Sequence, residues 1–75
     1  MEPLVWYLFL IIFNASMDDG NVYRSETPLT YVECVDKLTT INAAYENRGQ
    51  NYVVYCTKDP EFHSEDVIVK PLNSI

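Results

Sequence analysis

Few side chains in this 75-residue sequence combine reactive chemistry with a suggestive spacing. Glu61, His63 and Glu65 alternate, so in an extended segment they would share one side and could offer three ligands to a metal ion. No second cluster of metal-binding residue types stands elsewhere in the chain to complete such a site. We therefore predict no metal site and no cofactor.

The acidic run at residues 18–21, Asp-Asp-Gly-Asn, contains residue types found in calcium loops. It lacks the spaced acids and the closing glutamate that bind calcium, and Asp-Gly beside Asn is typical of a hairpin turn. No serine or cysteine can be assigned both a base and an orienting partner, and there is no glycine-rich phosphate loop. The sequence therefore predicts a protein that is not an enzyme.

Acidic residues are the main chemical feature of the sequence. Eleven Asp and Glu stand against five Lys and Arg, which gives a formal charge of −6. This acidity argues against direct binding of nucleic acid or of an anionic membrane, since both need clusters of Lys and Arg. Four acids fall within residues 59–66 without an intervening Lys or Arg, and we take these as the candidate partner-binding residues: Asp59, Glu61, Glu65 and Asp66.

The acidic cluster has two interpretations. It can be a solvated loop that keeps a small apolar protein soluble. It can also attract a protein partner with a basic surface, because carboxylates on a compact scaffold can imitate the phosphate spacing of DNA. The second interpretation predicts that the partner is a protein with a surface rich in Lys and Arg.

Cys34 and Cys56 are the only two cysteines. A domain this short buries little surface and usually needs a disulfide, a metal or a second copy of itself. A bridge between these cysteines would stabilise the fold by roughly 3 kcal/mol in the chain-entropy model. Two buried free thiols are the alternative, and both remain open because the cellular compartment decides between them.

The apolar run Leu4–Phe13 has two interpretations, a signal peptide and a packed strand. Glu2 stands where a signal peptide has Lys or Arg, and the best cleavage position places Asn14 where a small residue is expected. About ten residues cannot span a bilayer, which takes roughly 20. Four aromatic residues suit a packed strand, so we expect a strand: Trp6, Tyr7, Phe9 and Phe13.

A second strand follows the turn and comprises Val22–Arg24. A helix then begins, either at a capping box formed by Thr30 and Glu33 or with Thr27 as the cap and Pro28 as its first residue. The helix ends at Asn47–Gly49, where Gly can take the left-handed conformation. Spacings of three and four place one apolar stripe along it: Tyr31, Cys34, Val35, Leu38, Ile41 and Tyr45.

Strand propensity returns at Tyr52–Thr57, and Val67–Val69 can add a short fourth strand. We therefore predict one α+β domain over residues 1–75, with its core at about 4–58 and an acidic C-terminal segment at 59–75. Its fold would be a small antiparallel sheet of order β-β-α-β, with one helix packed on one face. The first strand, as the most apolar, would be central.

The first strand is apolar on both faces, whereas a single helix covers only one. The uncovered face needs a second copy, a partner protein, or the C-terminal segment folded back through Phe62 and residues 67–69. A large exposed apolar patch usually marks an interaction site. We therefore expect a homodimer or docking face on this strand, composed of Trp6, Leu8, Leu10 and Ile12.

The order of elements resembles small proteins common in phage and prophage genomes. The matching features lie within about residues 4–58, namely the apolar strand from Trp6 to Phe13, the turn Asp19-Gly20-Asn21, Cys34 in the helix and the strand Tyr52 to Cys56. The resemblance implies a viral protein of the host cytoplasm. Small acidic phage proteins often inhibit host machinery, including CRISPR complexes and nucleases, by binding to it.

Taken with the charge, the resemblance implies a protein-binding module that inhibits a host nucleic-acid-handling or defence complex, in the manner of an anti-CRISPR protein. Two alternatives stay open. One is a small exported or membrane-associated protein, periplasmic or secreted, with an N-terminal signal or anchor and one disulfide. The other is a structural subunit of a larger assembly.

Overall fold

A four-stranded sheet with one helix on it forms the protein, and the computed structural model describes residues 3–13, 20–64 and 67–74. The strand order is β3-β1-β2-β4, so the α+β class and the central first strand are confirmed. The elements are β1 (Tyr7–Phe13), β2 (Gly20–Arg24), α1 (Tyr31–Arg48), β3 (Tyr52–Thr57), β4 (Val69–Pro71) and a short 3-10 helix (Leu72–Ser74).

β1 pairs antiparallel with β2 on one side and with β3 on the other, as predicted. At its centre, Leu10 lies opposite Tyr23 of β2 and Val54 of β3. The turn predicted before β2 includes Asp18 and Asp19, which lie outside the described residues. The strand pairing therefore places the most apolar segment of the chain in the middle of the sheet.

The fourth strand makes the sheet mixed, because β4 runs parallel to β2 with Val22 opposite Val69. It begins at Val69, two residues later than predicted, and includes Pro71. To reach this position from β3, the chain must cross the sheet from one edge to the other. The helix occupies one face, so the crossing uses the other.

The helix begins at the predicted capping box. The Thr30 hydroxyl accepts a hydrogen bond from the Glu33 N–H at 3.1 Å, and the Glu33 carboxylate accepts one from the Thr30 N–H at 3.1 Å. Gly49 ends the helix with φ of 67°, a left-handed conformation that glycine adopts without steric cost. Within the described ranges, no helix is both long and apolar enough to cross a membrane.

Leu8, Leu29 and Cys34 are buried between the helix and the sheet. Half-buried side chains from every layer pack around them, namely Trp6, Leu38, Ile41, Val54, Cys56 and Leu72. Cys34 of α1 and Cys56 of β3 form a disulfide, with 6.2 Å between their Cα atoms. The bridge therefore fastens the helix to an edge strand of the sheet.

Ser25 extends the pairing of β1 and β2 beyond the end of β2. Its N–H donates to the Leu8 carbonyl at 3.0 Å, and its hydroxyl accepts from the Leu8 N–H at 3.1 Å. The Ser25 hydroxyl thus takes the place of the backbone acceptor that β2 no longer supplies to the Leu8 N–H. Without it, this buried N–H would lack a partner, which would cost about 1–3 kcal/mol of stability.

Two of the four residues predicted for the homodimer or docking face are buried within one copy, and the other two are half-buried. Leu8 and Leu10 are fully buried, and Leu8 packs with Cys34 of the helix. Side chains alternate between the faces of a strand, so Trp6, Leu8, Leu10 and Ile12 all lie on the side that the helix covers. The face that the helix does not cover is the one that carries Phe9.

The chain itself covers the centre of that second face. Phe9 is fully buried and stacks on Tyr55 of β3 with 5.5 Å between ring centroids. Phe62 lies in the segment that crosses the sheet and contacts Phe9, with 6.1 Å between the two ring centroids. Of the segment expected to fold back, Phe62 therefore serves as the cover, whereas Ile68 is 80% exposed.

The disulfide leads to a stability prediction. Replacing both Cys34 and Cys56 with Ser should lower the free energy of unfolding by roughly 3 kcal/mol, because the unfolded chain loses a covalent constraint. Urea unfolding followed by circular dichroism would measure this loss. Reduction of the wild-type protein should reproduce it, and an unchanged unfolding free energy would show that the bridge does not stabilise the fold.

Candidate functional site

The candidate site is the segment of residues 58–64 that crosses the second face, which we call the crossing loop. Pro60 cannot continue a strand ladder, and Asp59 folds the chain locally. The Asp59 N–H donates to the Thr57 hydroxyl at 3.1 Å, and the Asp59 carboxylate accepts from the Glu61 N–H at 3.0 Å. This Asx-type turn aims the chain back over the sheet.

Two contacts tie the crossing loop to the sheet. Phe62 packs on Phe9, and the Arg24 guanidinium donates to the Pro60 carbonyl at 2.7 Å. Arg24 also lies over the Tyr7 ring, 5.3 Å from its centroid. Partial burial raises the pKa of Tyr55, and the negative charge of Asp59 raises it further. The loop is therefore held against the sheet by one ring contact and one charge-assisted hydrogen bond.

The structure brings two of the four predicted acidic residues into one turn. Asp59 and Glu61 are both exposed, whereas Glu65 and Asp66 lie outside the described residues. The Asp59 carboxylate is engaged by the Glu61 N–H and by His63. The Glu61 carboxylate forms no ion pair or hydrogen bond with another described side chain, which leaves it open to a partner.

His63 contacts Asp59 rather than standing beside Glu61 as a metal ligand. No group of three or more potential metal ligands occurs in the described part of the chain. The Asp59 contact raises the pKa of His63, and the hydrogen bonds from the Glu61 N–H and His63 lower the pKa of Asp59. The arrangement suits an exposed ion pair that stiffens the loop.

Four of the five cationic side chains lie over aromatic rings, a feature that sequence reasoning missed. No Lys or Arg forms an ion pair with a carboxylate among the described residues. Apart from Asp59, which contacts His63, no described carboxylate lies within ion-pair distance of a cationic side chain, so most of the acidic surface keeps its negative potential. The pairs are Arg24 with Tyr7, Arg48 with Tyr45, Lys58 with Trp6 and Lys70 with Tyr23, at 4.9–5.9 Å.

A second exposed surface lies at the start of the helix. Tyr31 and Val35, predicted in the buried stripe, are 52% and 38% exposed, and the neighbouring Val32 is 59% exposed. Of the predicted stripe, the helix fully buries only Cys34 and Tyr45. We call Tyr31, Val32 and Val35 the helix-start patch.

The crossing loop and the helix-start patch adjoin through one tryptophan. The Trp6 ring contacts the Tyr31 ring at 4.8 Å, and the Lys58 ammonium lies 5.4 Å from the centroid of the same Trp6 ring. Lys58 directly precedes Asp59 in the crossing loop. An apolar surface therefore lies beside an acidic turn.

The ion pair in the crossing loop gives a pH dependence. The raised pKa of His63 means that its contribution is complete below the ordinary value of 6.5 and is lost as the pH rises through the raised pKa. The lowered pKa of Asp59 means that its contribution is complete above 3.8 and is lost as the pH falls through the lowered pKa. Between 3.8 and 6.5 both contributions are present.

An NMR titration of the His63 ring should therefore show a midpoint above 6.5 in the wild type. Replacing Asp59→Asn should shift this midpoint down towards 6.5, because Asp59 is the largest cause of the raised pKa. Glu61→Gln is the matched control and should shift it less, since Glu61 acts only through its charge. Equal midpoints in the wild type and Asp59→Asn would contradict the ion pair.

Comparison of the chain with protein-family models, with curated proteins and with solved structures finds no match.

Proposed function

We propose that this chain is a non-enzymatic protein-binding module that docks on a basic protein surface through the crossing loop. The observation that carries the proposal is the exposed pair Asp59 and Glu61, held on a turn that Phe62 and Arg24 fasten to the sheet. A recognition loop that is ordered before binding loses less conformational entropy on association.

Electrostatics supports a basic partner. The chain carries a formal charge of −6, and four of its five cations lie over aromatic rings rather than beside carboxylates. A potential of one sign increases the rate of encounter with a surface of the opposite sign and disfavours partners of the same sign. The acidic surface thus supplies steering and selectivity, while apolar residues beside it can supply buried area.

The finer proposal concerns the kind of partner. Proteins that bind nucleic acid present grooves rich in Lys and Arg that normally contact phosphates. Carboxylates spaced along the crossing loop can occupy such a groove in place of phosphates. We therefore propose that the chain inhibits a host nucleic-acid-handling or defence complex in the host cytoplasm, in the manner of a phage inhibitor.

A charge-reversal experiment tests the docking surface. The triple variant Glu61→Lys, Glu65→Lys and Asp66→Lys should lose the partners that the wild type captures from bacterial lysate, as measured by quantitative mass spectrometry. The partner that the wild type captures most strongly is then purified. Calorimetry should show that the triple variant binds it roughly tenfold or more weakly, because the new lysines repel the basic surface of the partner.

The matched control changes the net charge equally at other sites. Glu26, Asp36 and Glu46 are exposed and lie outside the crossing loop, so their replacement by Lys should leave most of the affinity in place. An unchanged affinity in the variant with Lys at positions 61, 65 and 66 would remove these three acidic residues from the interface. An equal loss in both variants would show that net charge, and not the position of these acids, determines binding.

A second candidate is a small exported protein, and the Cys34–Cys56 disulfide favours it. Disulfides persist in oxidising compartments and are rare in the cytosol. The signal-peptide interpretation of Leu4–Phe13 conflicts with the position of this segment, because Tyr7–Phe13 is the central strand. An exported form would therefore keep its N-terminal segment.

Intact-mass spectrometry of the natively expressed chain, with free thiols alkylated before lysis, separates the two candidates. The inhibitor proposal predicts the full-length mass with both cysteines alkylated, because the cytosol keeps thiols reduced and the structure with the Cys34–Cys56 bond is then the oxidised form of the protein. The exported candidate predicts the mass lowered by two hydrogen atoms and no alkylation. Loss of residues 1–16 would contradict both, since β1 would be absent from the mature protein.

A further inference from the structure

We propose that the outer edge of β3 is the contact surface of a symmetric homodimer, in which the β3 strands of two copies pair antiparallel about Val54. This inference goes beyond the proposed function, because it places a second copy on the β3 edge and not on the crossing loop, and it shares only Tyr31 and Val35 with the helix-start patch. It also replaces the face of β1 first expected to dimerise. Three features of the molecule support this dimer: the pairing pattern of β3, the contrast between the two sheet edges and the apolar residues on one side of the helix.

The pairing with β1 uses only alternate residues of β3. The Phe13 N–H donates to the Asn51 carbonyl at 2.9 Å, so position 51 faces β1. In an antiparallel ladder this alternation continues, and Val53, Tyr55 and Thr57 also direct their N–H and C=O groups towards β1. The backbone groups of Tyr52, Val54 and Cys56 therefore point outward, and no described segment pairs with them.

The two edges of the sheet differ in their protection. β4 forms one edge with only three residues, including Lys70 and Pro71, which are features that block pairing with another strand. β3 forms the other edge with six residues and contains neither Pro nor a charged side chain. Val53, in the middle of this edge, is 45% exposed. An open, uncharged and apolar edge is a template for a further strand.

One register satisfies every outward-facing group. Placing Val54 opposite Val54 of the second copy puts Tyr52 opposite Cys56 of the second copy, and the reverse. Each of these three pairs exchanges two hydrogen bonds, about six in total. Shifting the register by two residues leaves outward groups unpaired. The same register sets exposed Val53 beside Tyr55 of the second copy, an aromatic and β-branched pair that stabilises neighbouring strands.

Charges beyond the ends of the strand are compatible with this register. Lys58 would lie opposite Gln50 of the second copy, and Asp59 opposite Gly49 of the second copy, so like charges do not face each other. Self-complementarity of this kind is what a twofold interface requires, because the same surface is used by both copies. It favours a second copy over an unrelated strand.

The helix presents apolar residues on the same side as the open edge. The Tyr52 hydroxyl of β3 donates to the backbone carbonyl of Asn42 at 3.0 Å and also contacts the side-chain Oδ1 of Asn42, which places the Asn42 side of the helix towards β3. Tyr31 and Val35 precede Asn42 at helical spacing and lie on that side. Antiparallel pairing of the strands would bring the two helices alongside each other, and exposed Tyr31 and Val35 would be partly covered.

Sedimentation analysis of matched variants tests the edge. The wild type should change from monomer to dimer as its concentration rises. Val54→Pro removes an N–H that points outward, so it breaks no hydrogen bond inside one copy but blocks the central pair. We expect Val54→Pro to stay monomeric. Val54→Ala loses a similar amount of side-chain packing but keeps the N–H, and it should still dimerise.

Amide hydrogen exchange tests the register without any substitution. At low concentration the amides of Val53, Tyr55 and Thr57 should be protected by β1, whereas those of Tyr52, Val54 and Cys56 should exchange quickly. Raising the concentration should slow exchange of the second set by about tenfold or more, because the dimer gives them partners. This measurement decides the matter even if Val54→Pro fails to fold.

Three outcomes would overturn the proposal. A wild type that stays monomeric over the full concentration range would remove the dimer. A Val54→Pro variant that dimerises like the wild type would place the interface elsewhere. Rapid exchange at Tyr52, Val54 and Cys56 in a protein that is otherwise dimeric would also exclude the β3 edge.

Discussion

A strand that is apolar on both faces must be covered twice, and β1 imposes this requirement on the whole chain. The helix and Leu72 cover the face that carries Leu8, and the disulfide fixes the helix there. The crossing loop covers the face that carries Phe9. Because the loop has to traverse the sheet to do so, the next strand arrives at the far edge and runs parallel to β2. The turn with Asp59 and Glu61 therefore belongs to the segment that covers the sheet.

Local features of the structure could be predicted from the sequence, because their causes are local. The capping box at Thr30 and Glu33 and the left-handed Gly49 set the helix ends within a few residues. The side of β1 that the helix covers could not be predicted, since both faces of the strand carry only apolar residues. Parallel pairing of β4 depends on the path of the crossing loop, and this path depends on the contact between Phe62 and Phe9. Long-range contacts of this kind leave no periodic pattern.

The candidate site shows the same division. Asp59 and Glu61 were recognisable from their clustering, but the contact that orders them is an Arg24 hydrogen bond to a backbone carbonyl. Every residue has a carbonyl, so such an acceptor has no sequence signature. The placement of cations over aromatic rings could not be predicted from the sequence either, because partners such as Lys70 and Tyr23 come from distant parts of the chain. The sequence therefore indicated which charges exist but not which of them remain unpaired.

The Cys34–Cys56 bond closes a covalent ring that contains most of α1, the turn after it and most of β3. The exposed turn at residues 49–51 is the natural place for a protease to cut this ring, because its residues are accessible. A cut there would open the ring without separating its two parts, since the sulfur atoms still join helix and strand. Nicked protein would keep its helix beside the sheet, and proteolytic damage at this turn would become visible only after reduction.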